Sequence, residues 1–340
     1  MNEYRIALMP GDGIGPELTQ ATLKVIDTIQ QKFDLKLVMK QAEAGDAVFN
    51  KCGVALPEDS LKTIRESQAC LKGPVGETAA DVIVKLRLMF DLYANIRPLK
   101  AYPGAPSARP DIDMIFVREN TEDVYKGLEY TIGEDTTICL RVITRKACER
   151  IAKRAFETAR LRNGKKKVTA IHKANVMRVT DGLFRKICQE TAKQYPDITF
   201  NEMYVDAATM HLIRKPQDFD VFLTCNMFGD ILSDEAAQLI GGLGMAPGAN
   251  IGDNFALFEP IHGSAPDIAG KNIANPISMI LSARMMLDWL GEKYNDSNCK
   301  NAATAIETAV VKTLQTSAVV PDLGGKASTI EMAETIATAL

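Results

Sequence analysis

Short apolar runs recur along this chain between longer stretches of helical spacing, and that alternation restricts its fold more than any other feature. Residues 4–9 form an apolar run ending in Pro10-Gly11-Asp12-Gly13-Ile14-Gly15, and residues 17–29 then repeat apolar side chains with the helical period. Strand-like runs return at 35–39, 114–117, 137–142, 168–171 and 221–223, separated by helical stretches such as 146–159. The pattern predicts an α/β protein with a sheet flanked by helices. With 340 residues, 46% of them hydrophobic, the chain can bury the core of two domains or of one large one.

The net charge is -3 and the pI near 5.8, so no overall basic field draws in nucleic acid or anionic lipid. Lys165-Lys166-Lys167 and the arginines between 150 and 162 suggest a basic patch. However, Ala147, Ile151, Ala155 and Ala159 run between those charges as an apolar stripe, which marks a solvated helix face. Partners are therefore expected among small molecules, with neither nucleic acid nor membrane. Seven cysteines make no C-x-x-C pair and are read as reduced. No basic segment followed by an apolar run opens the sequence, and nothing approaches about 18 consecutive apolar residues, so a cytoplasmic location is expected.

Several segments carry chemistry-bearing residues. The glycines of 11–15 suit either a tight turn or a pyrophosphate contact, but the third arrives one residue too early for G-x-G-x-x-G and Pro16 removes an amide donor. In Asn226-Met227-Phe228-Gly229-Asp230-Ile231-Leu232-Ser233-Asp234 the two aspartates stand four apart, so on a helix both carboxylates share a face and can hold one hard cation. A helix cap and a solvated carboxylate are the plainer reading of the same pair. Asp206 ends another strand-like stretch and is a candidate third carboxylate. Arg87, Arg97 and Arg118 would suit a dicarboxylate if they converged, because each offers a planar fork of donors; singly, each reads as an ion pair. His172-Lys173-Ala174-Asn175 follows the run at 168–171, where α/β proteins expose functional groups.

Taken together, PGDGIGP at 10–16, YANIRP at 93–98, VRENTED at 117–123, HKANV at 172–176, NMFGDILSD at 226–234, FEPIHGSAPDIAGKNIANP at 258–276 and PDLGG at 321–325 resemble the isocitrate and isopropylmalate dehydrogenase family in order and spacing. The resemblance extends over about residues 4–325. It implies a two-domain fold that is not of the Rossmann type, with a mixed sheet. One domain would comprise 1–94 plus 241–340, and a central one 95–240 with the dimer contacts.

The resemblance further implies that Arg87, Arg97 and Arg118 bind substrate carboxylates, Tyr125 is the catalytic acid, and Lys173 with Asp206 serves proton abstraction. Asp206, Asp230 and Asp234 would hold Mg2+ or Mn2+, with Lys173 and Asp206 reaching into the neighbouring subunit's site, so that a homodimer is the smallest active unit and pairing into a tetramer stays open. NAD would lie along His262, Gly263, Ser264, Ala265 and Asp267, with Glu259, Asn275 and Asn175 among its contacts and 11–15 flanking the cleft. Asp267 would accept from ribose hydroxyls and repel a 2'-phosphate, which favours NAD over NADP.

Ile83 and Val84 precede Arg87 by four and three residues and would meet the group on the substrate's C3. Members that use isocitrate carry serine and asparagine at the positions of Asp81 and Ile83. An apolar wall there points to 3-isopropylmalate and to NAD-dependent oxidative decarboxylation to 4-methyl-2-oxopentanoate and CO2, a step of leucine biosynthesis. VRENTED looks more like the isocitrate and homoisocitrate members, so those substrates remain the alternatives within the family. Outside it stand a non-catalytic regulatory subunit and a Mg-dependent phosphohydrolase built on Asp230 and Asp234.

Overall fold

The computed structural model describes residues 2–79, 81–162 and 164–340. Its strands are β1 (Asn2–Met9), β2 (Leu35–Gln41), β3 (Ala69–Lys72), β4 (Ala94–Lys100), β5 (Asp113–Glu119), β6 (Glu129–Ile132), β7 (Thr136–Cys139), β8 (Lys167–His172), β9 (Thr199–Tyr204), β10 (Val221–Thr224), β11 (Pro247–Ile251) and β12 (Ala256–Pro260). Its helices are α1 (Gly15–Phe33), α2 (Asp46–Cys52), α3 (Glu58–Arg65), α4 (Asp81–Met89), α5 (Arg145–Arg162), α6 (Thr180–Ala192), α7 (Val205–Arg214), α8 (Asn226–Gln238), α9 (Ile277–Lys293), α10 (Ser297–Leu314) and α11 (Thr329–Ala339).

Among the described residues ten strands form one mixed sheet, in the order β2-β1-β3-β12-β11-β4-β5-β10-β8-β9. Strands from residues 2–72 and 247–260 occupy one half of that order, and strands between 94 and 224 the other. Pairing is parallel along β2-β1-β3-β12 and along β5-β10-β8-β9, and antiparallel at β12/β11, β11/β4 and β4/β5 in the middle. β3, β8 and β10 are buried almost throughout, because helices cover both sheet faces. Across β5 and β10, Phe116 and Phe222 stack with ring centroids 4.2 Å apart.

The central register aligns Arg118 of β5 with Asn95 of β4, Asn95 with Asn250 of β11, and Asn250 with Leu257 of β12. Directly paired residues project to one face, so three polar side chains stand in a row at the middle of the sheet. Arg97 and Glu259 lie two residues further along their strands, on that same face.

Two local expectations are corrected. Residues 137–142 do not form one strand: β7 stops at Cys139, and Val142 makes only an isolated bridge to Asp123. Arg141 turns inward to pair with the buried Asp123 and Asp181, which pulls the chain off the strand path. Asp206 lies not at a strand end but in the first turn of α7, where a carboxylate is favoured by the helix dipole. β6 and β7 form a separate hairpin whose Tyr130, Ile132 and Ile138 are exposed.

Candidate active site

α4 buries Val82, Leu86 and Arg87 and brings Ile83, one turn before Arg87, to the same side. Ile83 and Arg87 line a cavity of about 450 Å3 together with Lys72, Arg97 and Glu259. Val84 is half-buried and Asp81 exposed, and neither lines it, because three-residue spacing leaves Val84 at the edge of the face and Asp81 starts the helix. Of the two residues expected to form the apolar wall, Ile83 alone reaches the cavity.

Arg97 and Arg118 meet the aspartates of α8. Arg118, 1% exposed, donates through Nε and Nη2 to Asn226 Oδ1 at 3.0 and 2.6 Å and through Nη1 to Asp230 Oδ1 at 2.5 Å. Arg97 reaches Asp230 Oδ1 at 3.0 Å, Asp234 Oδ1 at 3.2 Å and Ser233 Oγ at 2.7 Å. The Tyr125 hydroxyl donates to Asp230 Oδ2 at 2.5 Å. Gly229 permits this closeness: a Cβ there would lie 2.3 Å from Thr224 Oγ1 and 2.6 Å from Arg118 Cγ.

The electrostatics follow from this packing. Burial opposes ionisation of Asp230, but Arg118, Arg97 and the Tyr125 hydroxyl outweigh it and hold the carboxyl at about 2. Burial raises Asp234 above the usual carboxylate range, against Arg97. It also pushes the Tyr125 phenol up, with Arg118 opposing and Asp230 adding, so the hydroxyl keeps its proton at neutral pH. Burial, then Arg97, draws the Arg118 guanidinium below its usual range.

Lys72 carried no signal in the sequence. It is buried at the end of β3 and donates to Glu259 Oε2 at 2.8 Å. Glu259, expected among the NAD contacts, thus has its carboxylate engaged by Lys72 and by Asn250 Nδ2 at 2.8 Å, inside the arginine cluster.

A second cavity of about 370 Å3, largely apolar and lined by Ile14, Leu243, Ile268, Ile273 and Asn275, shares His262, Gly263 and Ala265 with the first. The loop 11–15 flanks this cleft: Ile14 N donates to Ser264 O at 2.9 Å, and a Cβ on Gly13 would lie 2.0 Å from that oxygen. Asp267 is exposed between Pro266, which lines the first cavity, and Ile268, which lines the second, and Asn275 is held by Asp322 Oδ2 at 3.1 Å. His262 Nδ1 lies 2.9 Å from Gly263 O, and burial lowers the imidazole below its usual range. Its Nε2 is buried without a partner among the described residues, a polar atom that a bound cofactor can satisfy.

Lys173 and Asp206 form a pair of their own, Nζ to Oδ1 at 2.6 Å, with 66% of the aspartate side chain exposed. That bond holds the Asp206 carboxyl below its usual range. Asp181 accepts from Lys173 N, and Asn175 is exposed in the following turn. Among the described residues of one chain, no three His, Cys, Asp or Glu side chains converge on a metal position, so Asp206 does not join Asp230 and Asp234 within a single copy. No helix among them is long and apolar enough to cross a membrane.

The family model described as isocitrate/isopropylmalate dehydrogenase matches residues 5–336. The 3-isopropylmalate/3-methylmalate dehydrogenase of Methanocaldococcus jannaschii is 53% identical over 337 residues, covering 98% of both chains. The 3-isopropylmalate dehydrogenase of Methanothermobacter thermautotrophicus is 52% identical over 338 residues, covering 99% of this chain and 98% of the relative. A homoisocitrate dehydrogenase of Methanocaldococcus jannaschii is 44% identical over 349 residues, covering 98% of this chain and 96% of the relative. The crystal structure of isocitrate dehydrogenase from Methylococcus capsulatus superposes with a TM-score of 0.92 at 44% identity, over 99% of each chain. With a matching family model over nearly its whole length and such relatives, the chain belongs to the isocitrate/isopropylmalate dehydrogenase family.

Proposed function

We propose that this chain oxidises and decarboxylates 3-isopropylmalate with NAD, yielding 4-methyl-2-oxopentanoate and CO2 in leucine biosynthesis. The observation that carries this reading is Ile83, an apolar side chain one turn from Arg87 on the wall of the arginine-lined cavity. A third carboxylate at that wall would meet no donor from Ile83, a desolvation penalty of a few kcal/mol. Two relatives just over 50% identical whose names include 3-isopropylmalate support it.

Arg87, Arg97 and Arg118 would bind the two substrate carboxylates with their planar donor forks. Asp230 and Asp234 of one chain with Asp206 of another form a hard oxygen donor set that fits Mg2+ or Mn2+. When bound, the ion would supply positive charge to polarise the substrate's C2 hydroxyl, and NAD would supply the hydride acceptor. Lys173, as the neutral amine, would take the C2 hydroxyl proton, and Asp206 would balance the charge it gains. Tyr125, kept protonated by burial, would return a proton to C3 after CO2 departs. Asp267 at the cleft rim would accept from ribose hydroxyls and repel a 2'-phosphate.

The shared site requires a homodimer. Val176, Val179, Met210, Ile213 and Ile231 expose apolar surface on the segments bearing Lys173, Asp206 and Asp230, as does the β6–β7 hairpin, and a second copy of this chain would cover them. The division of the sheet order supports two domains, 1–94 with 241–340 and 95–240.

The test follows NADH absorbance with Mg2+ and NAD, offering 3-isopropylmalate, homoisocitrate and isocitrate at equal concentration. A clear preference for 3-isopropylmalate is expected; preference for a tricarboxylate would overturn the substrate while leaving the chemistry.

A further inference from the structure

Asn250 of β11 is 0% exposed at the centre of the polar row, and its two amide atoms serve opposite kinds of partner. Oδ1 accepts from Arg87 Nε at 3.0 Å, Asn95 Nδ2 at 2.8 Å and Asn120 Nδ2 at 2.8 Å. Nδ2 donates to Glu259 Oε1 at 2.8 Å and to Leu257 O at 3.4 Å. Arg87 has one other side-chain bond among the described residues, a long one of 3.5 Å from Nη2 to Glu259. Its guanidinium is therefore held by the Nε edge, which leaves the paired Nη edge available to the cavity. The same device recurs next door, where Arg97 Nε donates to Asn95 Oδ1 at 2.7 Å while Asn95 Nδ2 donates to Asn250.

We propose that Asn250 is a positioning residue: it clamps Arg87 by Nε so that the guanidinium fork presents itself to the substrate carboxylate, and through Asn95 it steadies Arg97. This rests on the reading of Arg87 as a substrate-binding group. A side chain in this place must offer an acceptor to the guanidinium and a donor to Glu259 at once, which an amide of this length provides. Without the clamp, binding substrate would have to order the arginine side chain, and that cost appears in KM rather than in the chemical step.

The test compares Asn250→Leu, Arg87→Lys and the double variant by steady-state kinetics. Asn250→Leu is expected to raise KM for 3-isopropylmalate about 10- to 100-fold, the worth of one hydrogen bond to a charged group. kcat should stay within about threefold and KM for NAD unchanged, as expected for lost ground-state binding. In the Arg87→Lys background, which has no Nε to hold, the same change should add less than about threefold. If Asn250→Leu does not fold, Asn250→Ser, too short to reach Arg87, takes its place with the same expectation. An unchanged KM, or a full multiplicative loss in the Arg87→Lys background, would overturn the clamp. Arg87→Lys that itself leaves KM unchanged would instead overturn Arg87 as a substrate ligand, and the clamp with it.

Discussion

Glu259 is the group whose removal tests the site's electrostatics most directly. It is the carboxylate between Lys72 and Arg87, 2.8 Å and 3.5 Å away, and it is 9% exposed. Burial alone would raise its pKa, yet Lys72 and Arg87 outweigh burial and bring it from 4.5 to about 2. At 1.36 kcal/mol per pH unit, that depression corresponds to about 3 kcal/mol of stability. Because the folded pKa is the lower one, the contribution is fully present above pH 4.5, falls as pH drops through that value toward 2, and is gone below it. Glu259→Gln keeps the shape and removes the charge. Urea unfolding should place the variant about 3 kcal/mol below the parent at pH 7, with the gap shrinking to about 1 kcal/mol at pH 3. Equal stabilities at pH 7, or a gap that does not narrow in acid, would refute the charge balance drawn among Lys72, Arg87 and Glu259.

Two further outcomes concern activity. Lys173→Ala and Asp230→Asn should each abolish turnover, with NAD affinity of Lys173→Ala unchanged. Refolded together in equal amounts they should recover about a quarter of parental activity, since half the dimers carry one intact site of two; a mixture as inactive as its components would exclude a shared site. Ile83→Ser should lower kcat/KM for 3-isopropylmalate about 10-fold, the worth of one to three kcal/mol of apolar contact, and narrow its lead over isocitrate. An unchanged ratio between the two substrates would remove Ile83 from the specificity wall.

The outer strands were legible because they are buried on both faces: β1, β8 and β10 read as continuous apolar runs, and each appears where the runs stood. The central strands β4 and β11 were not. β4 carries Asn95, Arg97 and Pro98, and β11 reads Pro247-Gly248-Ala249-Asn250-Ile251, so neither shows an apolar run or a clean alternation. Their polar residues face the site, and the interior that would have required apolar side chains is occupied there by a hydrogen-bonded network. Function has erased the periodicity at the strands that build the cavity.

The same physics separates the site residues that spacing revealed from those it hid. Asp230 and Asp234 were visible as a pair because a helix repeats its face every four residues, and the structure sets both against Arg97. Asn250, Lys72 and Glu259 become partners only through the register β3-β12-β11-β4, which joins residues as much as 187 positions apart in the chain. No local pattern encodes that distance. Lys173 and Asp206 pose the opposite case: both stand in a recognisable order of motifs, yet within one chain they face each other and solvent rather than Asp230. A carboxylate and an ammonium held 2.6 Å apart, on segments that also expose Val176, Val179 and Ile213, would in the proposed homodimer be the contribution of one chain to a site that a second chain completes.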